Sequence, residues 1–138
     1  PIRLFIVDTS PLAEEEENAD LNNFRKVFIN AEMLALDGDE WKFNEGCLSI
    51  PEIREDISRK PYINIRYYDE AFNQHIERFS DIPARIIQHE YDHIEGVLFI
   101  DHLNSLKKRL LKRKLTDISK GKVGVGYKMK FPLAKSKY

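Results

Sequence analysis

Residues 88–93 read Gln88-His89-Glu90-Tyr91-Asp92-His93, and the spacing of the two histidines decides the structure around them. Side chains four residues apart share one face of an α-helix, so His89 and His93 can grip a single ion if the segment is helical. The flanking residues agree with a helix. Ser80-Asp81 offers an N-cap, and Pro83 is tolerated in the first turn. Ile82, Ile86, His89 and His93 then recur at helical spacing, which predicts a helix to about Glu95, stopped at Gly96. Glu90 lies roughly 100° further round the axis than His89, placed to approach a metal-bound water without itself ligating the metal. The competing reading is a pair of surface histidines; the amphipathic setting favours metal.

A pair of histidines supplies two ligands, and a catalytic site of this kind needs a third while leaving one position for water. No Glu occurs after Glu95. The longer pattern HExxHxxGxxH is followed as far as Gly96, but its third histidine position holds Phe99. His102 lies beside Asp101 and is expected to make a structural hydrogen bond. The remaining donor is Cys47, the one cysteine of the chain, within Glu45-Gly46-Cys47-Leu48-Ser49-Ile50-Pro51. A single cysteine forms no internal disulfide, which leaves a small buried hydrophobe, a reactive thiol or a metal ligand. The need for a third donor favours the ligand, and a thiolate suits Fe(II) or Zn(II).

Working outward, Ile2 to Val7 reads as a buried strand and Lys26 to Leu36 as another, closed by Asp37-Gly38-Asp39. Tyr62 to Tyr68 alternates in strand fashion, and Asp69 to Asn73 turns it into a hairpin with Gln74 to Phe79. His75 falls in that second strand and is expected at the surface. Ser10 to Asn23, with its run of four glutamates, reads as a solvated loop without assigned function. Asn104 or Ser105 can cap a second helix through about Lys114, with Leu106, Leu110 and Leu111 as its apolar stripe. Residues 121–131, GKVGVGYKMKF, alternate like a final edge strand; no helix follows Gly124-Val125-Gly126, so this is no phosphate loop. Strands in the first half and helices in the second indicate an α+β fold, with antiparallel sheets around the histidine-bearing helix. The 138 residues are expected to form one domain.

Composition excludes several classes. Apolar residues make up 42% and charged residues 33%, which describes a globular chain and not a disordered one. No apolar run approaches the roughly 20 residues of a membrane span, and no signal peptide is visible, so a reducing cytoplasmic setting is expected. Charge is uneven: residues 1–56 hold 5 basic and 14 acidic side chains, and residues 57–138 hold 17 and 9. From Lys107 onward, 12 basic side chains face a single acidic one, Asp117. Such a tail is either a solvated helix face or a surface for a polyanion.

The segments Glu45-Gly46-Cys47-Leu48-Ser49 and Gln88-His89-Glu90-x-Asp92-His93 resemble the second and third motifs of the bacterial peptide deformylases, and the similarity continues through Gly96 to Asp101. Leu115 to Pro132 is similar to the tails of the Bacteroides-like members. The resemblance implies removal of the formyl group from the formyl-methionine of new polypeptides, releasing formate. It implies one divalent metal, Fe2+ natively with Ni2+, Co2+ or Zn2+ as alternatives, on Cys47, His89 and His93. Glu90 would shuttle the proton, and the Leu48 backbone N–H would help hold the oxyanion. Gly46 and Arg54 would lie along the substrate chain. Ile82 and Ile86 are candidates for the methionine pocket, with Ile50 or Leu48 closing it, plain core packing being the equal alternative for each isoleucine. Glu45 and Arg59 match a family pair that braces the cysteine loop, and Gln88 belongs to the same supporting set. The resemblance also implies docking near the ribosomal exit, for which the basic tail is the candidate surface. The family's first motif, G-x-G-x-A-A-x-Q, belongs just before a strand such as Arg3 to Val7 and is not within these residues; either an N-terminal part precedes Pro1 or the molecule lacks half of its oxyanion hole. Without the glutamine of that motif, turnover is expected to fall roughly 10²–10³-fold. Two other readings compete: a general metallopeptidase, disfavoured by the missing downstream ligand, and an RNA-binding module without catalysis.

Overall fold

The computed structural model describes residues 3–15, 21 and 24–133. They fall into two compact units, Pro1–Trp41 with Ser58–Leu98, and Lys42–Ile57 with Phe99–Tyr138. The first unit holds β1 (Leu4–Asp8), α1 (Ser10–Glu15), β2 (Arg25–Asp37), β5 (Tyr62–Tyr68), β6 (Gln74–Ser80) and α2 (Asp81–Ile94). Its four strands form an antiparallel sheet in the order β1-β2-β5-β6. The second unit holds residues 42–57 of the hairpin of β3 (Trp41–Cys47) and β4 (Ile50–Arg59), a 3-10 turn at Phe99–His102, and α3 (Ser105–Ser119). The expected α+β class with antiparallel sheets, a histidine-bearing helix and a basic helix is what the chain adopts.

In the first unit the alternation of the strands buries one face of the sheet. Phe5 and Val7 of β1, Phe28 and Ala31 of β2, and Ile63, Ile65 and Tyr67 of β5 meet Ala84 and Ile87 of α2. Phe28 sits at the centre, its ring 4.8 Å from Phe5 and 4.5 Å from Tyr67. At about 25 cal/mol per Å2 of apolar surface, this cluster is the main force holding α2 on the sheet. The second unit has its own core of Ile50, Ile53, Ile57, Phe99, Leu103 and Ile118. Glu52, with φ of 62°, shifts the phase of β4 so that Ile50 and Ile53 both turn inward.

Four local expectations are corrected. Part of the Ser10–Asn23 loop is helical: Pro11 fits a first turn, and Ala13 is buried; residues 16–20, 22 and 23 lie outside those described. Ser80 occupies the N-cap position of α2, but its side chain makes no capping bond, and Asp81 instead donates its N–H to the Pro61 carbonyl. Helix α3 runs on to Ser119, and its inward face is Leu111, Leu115 and Ile118, while Leu106 and Leu110 are 66% and 74% exposed. Asn104 does cap it, accepting from the Lys107 N–H. Finally, residues 121–131 form no strand: a strand needs a ladder partner, and three glycines weaken extended pairing. The chain there turns back on the helix end, with Gly121 N–H on the Ile118 carbonyl and Lys122 N–H on that of Asp117.

Candidate metal centre

Helix α2 brings His89 and His93 together in the first unit. Their rings lie 5.0 Å apart, edge to face, and both are half-buried. That arrangement is the one the four-residue spacing predicts, and it lets two ring nitrogens turn toward one point. Glu90, also half-buried, follows on the adjoining face. Gly96, at φ 76°, ends the helix where an ordinary side chain would be strained.

Three ties hold α2 in place. The Gln88 side chain is buried, and its amide donates to the Lys60 carbonyl at 3.0 Å and to Ala84 one turn back at 3.1 Å. Arg59, with a side chain only 4% exposed, donates to Asp92 at 2.8 Å. Met33 donates its backbone N–H to the Tyr91 hydroxyl at 3.3 Å. Asp92, between Tyr91 and His93, is therefore a brace for the histidine segment that the sequence reading did not single out. A second such brace is Arg85, buried against the Trp41 ring at 4.2 Å and donating to its carbonyl at 2.6 Å. Ile86 packs against the first core and Ile82 is half-buried.

In the second unit, Cys47 is the last residue of β3 and Leu48-Ser49 is the turn into β4. Cys47 is half-buried and packs against the second core, whereas the Leu48 side chain is 75% exposed. Ile50 belongs to that core and Glu45 is buried. Arg54 folds back across the hairpin, donating to the Asn44 side chain and carbonyl, each at 2.8 Å. It lies so close over Gly46 that a Cβ there would stand 2.9 Å from its guanidinium. A side chain at 46 would make the guanidinium shift from its place across the hairpin. His102 is exposed at the end of the 3-10 turn, and His75 pairs with Asp69 at 2.7 Å.

The profile of the family described as polypeptide deformylase matches residues 1–109. The chain belongs to the polypeptide deformylase family. It is 56% identical over 140 aligned residues to a peptide deformylase of Christiangramia forsetii, covering 98% of this chain and 71% of that protein. A Cytophaga hutchinsonii peptide deformylase is 52% identical over 97% of this chain and 71% of its own length. Among solved structures, a peptide deformylase from Plasmodium falciparum superposes with a TM-score of 0.71 at 31% identity, over 86% of this chain and 66% of that one. One from Thermotoga maritima gives 0.62 at 33% identity, over 74% of this chain and 61% of its own. Deformylases are metal-dependent hydrolases of protein biosynthesis, and the resemblance read from the two motifs is the family found. The donor chemistry of Cys47, His89 and His93, one thiolate and two imidazoles, suits a divalent metal.

Proposed function

We propose that this chain removes the formyl group from formyl-methionine at the N-terminus of newly made polypeptides in the cytoplasm, releasing formate. The observation that carries the reading is the α2 histidine pair, rings 5.0 Å apart and followed by Glu90, in a chain of this family. Cys47, His89 and His93 hold one divalent ion, Fe2+ natively, with Ni2+, Co2+ or Zn2+ able to replace it. When bound, that ion supplies Lewis acidity, making a water acidic enough to attack near neutral pH and drawing charge from the formyl oxygen.

The chain's own residues do the rest. Glu90 takes the proton from the attacking water as the new C–O bond forms, and passes it to the amine as the C–N bond breaks. The Leu48 backbone N–H donates to the formyl oxygen as charge builds there. Gly46 and Arg54 lie along the substrate backbone, and Ile82 and Ile86 contact the methionine side chain. Glu45, Arg59 and Gln88 brace the two motif segments, and a brace that holds a ligand within fractions of an ångström supports both affinity and rate. The basic face of α3 docks the enzyme near the ribosomal exit, where phosphates are dense.

Metal analysis together with hydrolysis of a formyl-Met peptide tests the reading. One equivalent of divalent metal and formate release that a chelator abolishes are expected. Release of amino acids from unformylated peptides would instead indicate a general peptidase. Metal-free protein that binds RNA without turnover would favour the binding module, for which the exposed basic residues of α3 are the supporting feature.

A further inference from the structure

Residues 121–131 are paired in no strand, yet they reach the turn that follows Cys47. Within the second unit, a groove of about 500 Å3 is lined on one side by Gly46, Cys47, Leu48 and Arg54, and on the other by residues 124–127. Across it the Tyr127 hydroxyl donates to the Leu48 carbonyl at 2.8 Å. Gly124 and Gly126 leave this side open, since a Cβ at either would meet nothing within 4 Å. Tyr127 thus ties the tail to the two-residue turn Leu48-Ser49 through the Leu48 carbonyl, while the Leu48 side chain is 75% exposed.

The Leu48 carbonyl and N–H lie in adjacent peptide planes joined by φ and ψ. In a two-residue turn closed by strands on both sides those torsions have little room, so holding the carbonyl narrows the directions left to the N–H. A backbone donor aimed at a developing oxyanion works only if its direction is set before the reaction. We propose that Tyr127 is a positioning residue: by holding the Leu48 carbonyl, its hydroxyl sets the direction of the Leu48 N–H toward the formyl oxygen. This rests on the proposed deformylase reaction. Because the donor matters most where charge develops, the effect belongs in kcat more than in KM.

The test compares Tyr127→Phe, which removes the hydroxyl and keeps the ring, with Tyr127→Leu, which removes both. In Tyr127→Phe, kcat should fall about 3- to 10-fold, the size of one neutral hydrogen bond, with KM little changed. In the zinc-loaded protein the Leu48 carbonyl-carbon and amide resonances should shift and broaden, a readout independent of turnover. Wild-type Leu48 resonances and rate in Tyr127→Phe would overturn the proposal. So would a loss seen only in Tyr127→Leu, which would make the ring's packing the cause. If the wild type failed to hydrolyse formyl-Met peptide while Leu48 still shifted in Tyr127→Phe, the hold on the turn would stand and the deformylase reading would fall.

Discussion

Cys47 and Glu90 carry different burdens, and substitutions separate them. A thiolate is a ligand that neither serine nor alanine replaces, so Cys47→Ser and Cys47→Ala should lose metal and turnover together. Stoichiometric metal at a near-normal rate in either variant would end the ligand assignment. Glu90→Gln keeps the volume and removes the base. Metal should stay, and kcat should fall about 10²–10⁴-fold; metal content measured beside the rate decides it, since collapse of the metal would make Glu90 a ligand or a brace. The pairing of His89 and His93 was legible in the sequence because spacing on one helix turn is a local property. Asp92 was not: its role depends on Arg59, 33 positions away, whose buried guanidinium it meets at 2.8 Å.

Among the elements, the β5–β6 hairpin has a pH dependence that its turn dictates. Asp69 accepts from the His75 ring and from the backbone N–H groups of Ala71 and Asn73. The His75 bond first, then those backbone donors, hold its carboxyl below the ordinary aspartate value. A depressed carboxyl stabilises the fold when ionised. Its contribution is complete above the unfolded value of about 4 and is lost as pH falls through the lower folded value. Wild type should therefore exceed Asp69→Asn in melting temperature at neutral pH, and the gap should shrink below about pH 4. A gap independent of pH would show that the turn's shape, not its charge, is what Asp69 contributes. The hairpin itself was readable from its alternation and turn residues. The face of α3 was not, because its leucines offer two overlapping stripes, and only the Ile50–Phe99 core selects Leu111, Leu115 and Ile118.

Across the whole molecule the charge is uneven, and tertiary contacts decide which cations remain available. Lys107 is spent on Glu55 at 2.6 Å and Lys114 on the Glu52 carbonyl at 2.6 Å, whereas Lys108, Arg109, Lys112 and Arg113 are exposed on α3. Reversing Lys108, Lys112 and Arg113 to glutamate should weaken ribosome binding and flatten its salt dependence, by roughly 0.7–0.9 in log–log slope per lost phosphate contact. Hydrolysis of a short formyl peptide should hardly change. Unaltered ribosome affinity in a sedimentation assay would leave α3 a solvated face. The sequence by itself determined the α+β class, the four strands of the larger sheet, the histidine pair and its terminating glycine, and the family, since each rests on periodicity or on a short motif; the β3–β4 hairpin around Cys47 was not read from it. Tertiary structure alone decided that residues 121–131 form no strand and that Tyr127 reaches Leu48, 79 positions earlier in the chain. A strand exists only with a neighbour to accept its hydrogen bonds, and a contact across that separation leaves no trace in local spacing.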